Sequence, residues 1–247
     1  MHRMPLLLLD LDNTLVPRDA AFRAWAAGFL TEHRLPAAEL AWLTTLDGGG
    51  YVPRTALLGA ARRRYRLDQS LEALLAHYGR GINSHIRCPD SHLAALRAAR
   101  AAGCALVIVS NGGTGSQVEK IRRTGLAALV DAWVVSEEAG CAKPDPLIFE
   151  IAARRCGFEL AGPGAADAWV IGDHAPADIA GAEAAGLRSV WLHHGRPWPE
   201  LGYRPTLTAA SLPEAIDLAL ATSTVNAPTV NAPTVNVPAI NVPTAAA

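Results

Sequence analysis

Leu6-Leu7-Leu8-Leu9 runs without a break into Asp10-Leu11-Asp12-Asn13-Thr14. A short run that is apolar on both faces and ends abruptly in carboxylates predicts a buried parallel strand whose C-terminal end opens into a site. In open α/β sheets, ligands bind at that end. Asp10 and Asp12, two residues apart, leave a strand tip on the same side, so their carboxylates converge. Burying two like charges together is costly unless a cation lies between them. Hard oxygen ligands in a small cluster suit Mg²⁺. The plainer alternative is an Asx-type turn, in which Asp and Asn bond nearby backbone.

The chain beyond this strand narrows the fold further. Between Pro17 and about Arg87 the pattern is helical, and no strand interrupts it. Phe22, Trp25, Phe29 and Leu30 recur at helical spacing from Asp19 to about Arg34. Leu40, Trp42, Leu43 and Leu46 make a second piece, which Asp47-Gly48-Gly49-Gly50 breaks. Helix resumes through Leu57 to Tyr65 and from Leu71 to Tyr78. This is far more chain than a βα connection needs, so it is read as an inserted helical domain.

Strands and helices then alternate. Ala105 to Val109, Ala132 to Val135, Ala168 to Ile171 and Arg188 to Leu192 are strand-like. Pro89 to Ala102, Gln117 to Arg123, Asp145 to Cys156 and Ile179 to Ala185 are helical. Alternation of this kind predicts a doubly wound, parallel, five-stranded Rossmann-like α/β core. The expected organisation is a core from 1–16 and 88–222, a helical domain from 17–87, and a tail from 223–247. Pro213 to Leu220 forms the last helix. Beyond it a five-residue unit places proline at 228, 233, 238 and 243, with no charged or aromatic residue. Such a segment is expected to be disordered and partly polyproline-like, because proline at that frequency defeats both helix and sheet. A pentapeptide solenoid is disfavoured on the same ground.

Composition excludes several classes. The 247 residues are 50% hydrophobic with a net charge of -1, which gives no electrostatic footprint for nucleic acid or an anionic membrane. The apolar patch at the N-terminus is too short for a signal peptide, and no stretch approaches a membrane span. Cys88, Cys104, Cys141 and Cys156 show no zinc-like or redox-like spacing, which points to a reduced cytoplasmic protein.

Polar groups collect at the predicted strand ends: Asp10 and Asp12, then Ser110 and Asn111, then Lys143, then Asp173 and Asp178. Singly, each has a dull reading, with Ser110 and Asp178 as helix caps and Lys143 as a solvated loop charge. Parallel strands share a direction, so all of these residues meet on one edge.

Together they resemble the haloacid dehalogenase superfamily, in its phosphatase branch with a helical cap after the first strand. Asp10-Leu11-Asp12-Asn13-Thr14 fits the family's first motif, Ser110-Asn111-Gly112 the second, Lys143-Pro144 the third, and Gly172-Asp173 through Asp178 the fourth. The resemblance covers roughly residues 4 to 221. It implies hydrolysis of a small phosphomonoester, with Asp10 as the nucleophile and Asp12 as general acid and base. Thr14, Ser110, Asn111 and Lys143 would hold the phosphoryl group. Mg²⁺ would be bound by Asp10, the Asp12 carbonyl and Asp173, with Asp178 touching the metal or holding Lys143. A 2-haloacid dehalogenase and a sugar phosphomutase share the fold. Asp12 favours phosphate chemistry, because a halide leaving group needs no acid. A non-catalytic scaffold that binds phosphorylated ligands is the alternative from another class. Asp47, Gly49 and Arg54 form the loop expected to reach over the site and choose the substrate. His174 is expected to be a loop residue without a catalytic role. The expected partner is a small molecule rather than a nucleic acid or membrane, and the expected state is a monomer or homodimer.

Overall fold

The computed structural model describes residues 5–160 and 167–225, with side chains through Ser223. The expectation for the proline-rich tail therefore falls almost wholly outside the described residues.

Strand β1 (Leu6–Leu9) lies at the middle of a parallel sheet and is buried on both faces, as its unbroken leucines require. It pairs with β2 (Ala105–Ser110) on one side and β4 (Ala168–Gly172) on the other, with Leu9 opposite Ile108 and Ile171. Beyond β2 lies β3 (Ala132–Val135), and beyond β4 lies β5 (Arg188–Leu192). The leucines divide by parity, as the strand period dictates. Leu7 and Leu9 face α5 (Asp90–Ala101) and α10 (Leu212–Val225); Leu6 and Leu8 face α8 (Pro146–Arg155) and α9 (Ala180–Ala184). Truncating any of these four leucines to alanine would cost about 2–5 kcal/mol.

Among the described residues the sheet has six strands rather than five, in the order β3-β2-β1-β4-β5-β6. The extra edge strand, β6 (Leu207–Ala209), is three residues long and half exposed at its start, so it carries no apolar run to read. Helix α10 runs on to Val225, past the point where the repeat begins.

Between β1 and α5 the chain forms α1 (Arg18–Glu32), α2 (Glu39–Asp47), α3 (Arg54–Tyr65) and α4 (Leu71–His85). Their core is aromatic. Trp25 stacks on Phe29 at 5.2 Å and meets the edge of Tyr78 at 4.9 Å. Gly81 of α4 leaves room for Trp25, which an added Cβ would overlap. Ser70 caps α4 by accepting from the Ala73 N–H at 3.1 Å. The core also carries α6 (Thr114–Arg123) after β2 and α7 (Ser136–Ala139) after β3. No helix among the described residues is long and apolar enough to cross a membrane.

Candidate active site

The site is assembled at and just beyond the ends of the parallel strands. Asp10 follows β1, its N–H still bonded to Ile171 O at 3.0 Å, so the strand fixes its backbone while its side chain leaves the sheet. Lys143 arrives from the loop after α7, and that loop is tied to the β2 end by Asn111. The Asn111 side-chain amide donates to Lys143 O at 2.9 Å and accepts from the Lys143 N–H at 2.9 Å. Asn111 thus acts on the loop's backbone. The Lys143–Pro144 peptide is cis.

The lysine ammonium bridges two carboxylates, donating to Asp10 Oδ1 at 2.6 Å and to Asp178 Oδ1 at 2.7 Å. Asp178 is fully buried, and its other oxygen accepts from the His174 N–H at 3.0 Å. It packs so closely on Gly172 that no Cβ fits there. Asp173 completes the cluster, with one oxygen taken by Arg196 at 3.2 Å. Oxygens of Asp10, Asp173 and Asp178 all lie within 4.8 Å of one another.

Three buried carboxylates around one ammonium leave an excess of negative charge. Burial, then the neighbouring carboxylates, push Asp173 up to about 8 against the pull of Arg196. Burial likewise pushes Asp10 up to about 7, opposed by Lys143 and helped by Asp178. Burial works against the Lys143 charge, but Asp10 and Asp178 outweigh it and hold the ammonium above its ordinary value. Asp10 Oδ2 is buried with no protein partner among the described residues. An unpaired, desolvated carboxylate oxygen beside a second carboxylate is what a hard divalent cation would satisfy, so the residues present fit Mg²⁺.

The Asp12 side chain turns elsewhere. Its carboxylate is held by Lys120, at 2.8 and 2.7 Å, and by Gln117 at 3.0 Å. Burial alone would raise its pKa, yet Lys120, Gln117 and Arg18 together lower it. Gln117 also donates to Ser110 Oγ at 2.6 Å, linking the acid to the hydroxyl at the β2 end. The side chains of Asp10 and Asp12 therefore diverge: one joins the acidic cluster and the other an ion pair. Neither Gln117 nor Lys120 stood out in the sequence. Their signal was present, since they lie three apart on one face of α6 and Lys120 is one of two lysines in an arginine-rich chain. Arg196 was missed as well, because nothing in Gly195-Arg196-Pro197 marks a site. Thr14 is buried, its hydroxyl without a partner among the described residues.

A cleft of about 470 Å³ opens over Asp10, Asp12 and Ser110 and continues under the helical segment to Gly49, Tyr51 and Arg54. Asp47 does not reach into it. Instead it is buried beneath the wall, bonded to both Arg18 nitrogens and to Arg54 Nη1 at 3.0 Å. Arg18 also donates to the Tyr78 hydroxyl at 3.0 Å. Two guanidiniums thus share one buried carboxylate at the far end of the cleft.

Comparison with known proteins adds to this geometry. The family model described as haloacid dehalogenase-like hydrolase matches residues 4–186. A pyrimidine 5'-nucleotidase of Escherichia coli is 41% identical over 108 residues, which is 43% of this chain and 46% of that protein. A phosphoserine phosphatase of Thermus thermophilus is 33% identical over 179 residues, 71% of this chain and 59% of that protein. Among solved structures, a HAD-hydrolase of Bacillus subtilis bound to magnesium superposes with a TM-score of 0.72 at 25% identity, covering 88% of this chain and 99% of that one. The chain spans about half the length of the curated relatives it matches.

Proposed function

The chain belongs to the haloacid dehalogenase-like hydrolases, and we propose that it is a Mg²⁺-dependent phosphomonoesterase acting on a small phosphorylated metabolite. One observation carries this reading. Asp10, at the tip of the central strand, has one oxygen fixed by Lys143 and the other buried without a protein partner among the described residues.

In the proposed reaction that carboxylate attacks phosphorus. The ester P–O bond breaks, an aspartyl-phosphate forms on Asp10, and the leaving oxygen takes a proton from Asp12. Water then attacks the phosphorus, gives a proton to Asp12, and releases phosphate and the Asp10 carboxylate. Asp12 is held as a carboxylate by Lys120 and Gln117, which is the form the water step needs; it must take up a proton before the ester step. Lys143 offsets the charge that a phosphate dianion brings to a carboxylate nucleophile. Ser110, whose oxygen accepts from Gln117, keeps its own proton to donate to a phosphoryl oxygen. Mg²⁺ would be held by Asp10 and Asp173, and when bound it supplies Lewis-acid polarisation of the phosphoryl group. Asp178 has both oxygens engaged, which favours holding Lys143 over binding the metal.

We assign substrate choice to the Gly49–Arg54 wall, with Arg54 reading an anionic leaving group. Four free cysteines fit a reducing, cytoplasmic setting. The deciding experiment is hydrolysis of p-nitrophenyl phosphate with Mg²⁺ and with chelator, beside halide release from 2-haloacids. Mg²⁺-dependent phosphate release supports the proposal. Halide release would replace it with dehalogenation, and silence in both assays would leave a scaffold. A phosphometabolite panel then names the substrate.

A further inference from the structure

The turn between α2 and α3 is built from Gly48, Gly49 and Gly50, with φ of 57°, 64° and 93°. Three successive residues in the left-handed region require glycine, and they turn the chain out of the helical segment toward the core. Tyr51 comes next. Its ring lies on the His174 imidazole, with centroids 3.6 Å apart and planes 17° apart. His174 belongs to the loop after β4, and its N–H is fixed by Asp178 at 3.0 Å. The other end of the contact is fixed too: Arg54 Nη2 donates to Gly50 O at 2.8 Å. Tyr51 is 50% exposed, yet it lines the same cleft as Asp10 and Asp12. One aromatic contact therefore joins the arginine-bearing wall to the loop that carries Asp173.

We propose that the Tyr51–His174 stack is a positioning clamp, holding the Gly48–Gly50 turn and Arg54 over Asp10 so that a leaving group is gripped while its phosphate meets the nucleophile. This rests on the phosphatase reading. Tyr51 and His174 act through the wall they hold and take no part in the bond changes.

The test compares Y51A, H174A, the double variant and Y51F with the parent chain. It uses p-nitrophenyl phosphate kinetics with Mg²⁺, and amide hydrogen exchange across residues 47–54 without substrate. Y51A and H174A should each raise KM about fivefold with kcat moving much less, the size of an aromatic pair's coupling and of the lost competent fraction. The double variant should be no worse than either single, and Y51F, which keeps the ring, should recover most of the loss. Exchange in 47–54 should quicken alike in Y51A and H174A and not in Y51F. Additive losses, unchanged exchange in that segment, or faster exchange spread over the whole chain would overturn the clamp. Should the parent chain cleave no phosphomonoester, the phosphatase reading fails, and the exchange data alone decide whether the stack holds the turn.

Discussion

Two buried charge clusters face each other along one cleft, and they are built with opposite signs. At the sheet edge, Lys143 stands among Asp10, Asp173 and Asp178. Under the helical wall, Asp47 stands between Arg18 and Arg54. The first keeps an excess of carboxylate even with Arg196 on Asp173; in the second, two guanidiniums share one buried carboxylate, Arg18 also meeting the half-exposed Asp19 at 3.1 Å. A buried charge is tolerated when paired, and an excess marks what is still to be bound. The contrast assigns a cation to the sheet edge and an anion to the wall. It also predicts that removing a carboxylate will act in opposite senses at the two ends.

The largest effect expected is at Asp10. Asp10→Asn should lower turnover by at least about a thousandfold, because the nucleophile is gone. It should not lower the metal-free melting temperature, since it relieves repulsion. Measured activity near that of the parent would remove Asp10 from the role given to it. Asp47→Ala should do the reverse to stability. Leaving Arg18 buried without its bidentate partner should cost about 3–5 kcal/mol, read by urea unfolding, and a cost under about 1 kcal/mol would break the comparison.

A smaller effect comes from pH. Asp10 and Asp173 are raised from 3.8 to about 7 and about 8. A carboxyl whose folded value lies above its unfolded one stabilises the fold below the unfolded value, and that contribution is lost as pH rises through the folded value. The metal-free protein should therefore melt progressively lower from about pH 4 to about pH 8, and Mg²⁺ should restore most of the loss at pH 8. A flat metal-free profile would show that the carboxylates are not in excess. The smallest effect belongs to Arg54→Gln, which should raise KM about tenfold for monoesters whose leaving group carries a carboxylate or phosphate, and less for neutral alcohols. Equal changes for both would take substrate reading away from Arg54.

The same contrast explains what could be read from the sequence. Asp10 and Asp173 were legible because each directly follows a short apolar run, and Lys143 and Asp178 because they lie in the connections just beyond such runs, whose ends parallel strands bring together whatever the spacing between them. Asp12 was legible as a carboxylate but not in its direction, because its partner Lys120 sits on a helix face more than a hundred residues away. The wall was opaque. Arg18, Asp47 and Tyr78 are separated by 29 and 60 residues and meet only through helix packing, which no local pattern encodes. Asp47 beside three glycines looked like a loop residue reaching for substrate; it is instead the buried counter-ion of two arginines. β6 escaped because edge pairing needs no apolar side chains.

The reciprocal bonds between Asn111 and the main chain of residue 143 have a practical consequence. The loop is moored by its peptide groups, so its address does not depend on which side chain it displays. Position 143 is thus held at two levels, its main chain by Asn111 and its ammonium by the two buried carboxylates it bridges.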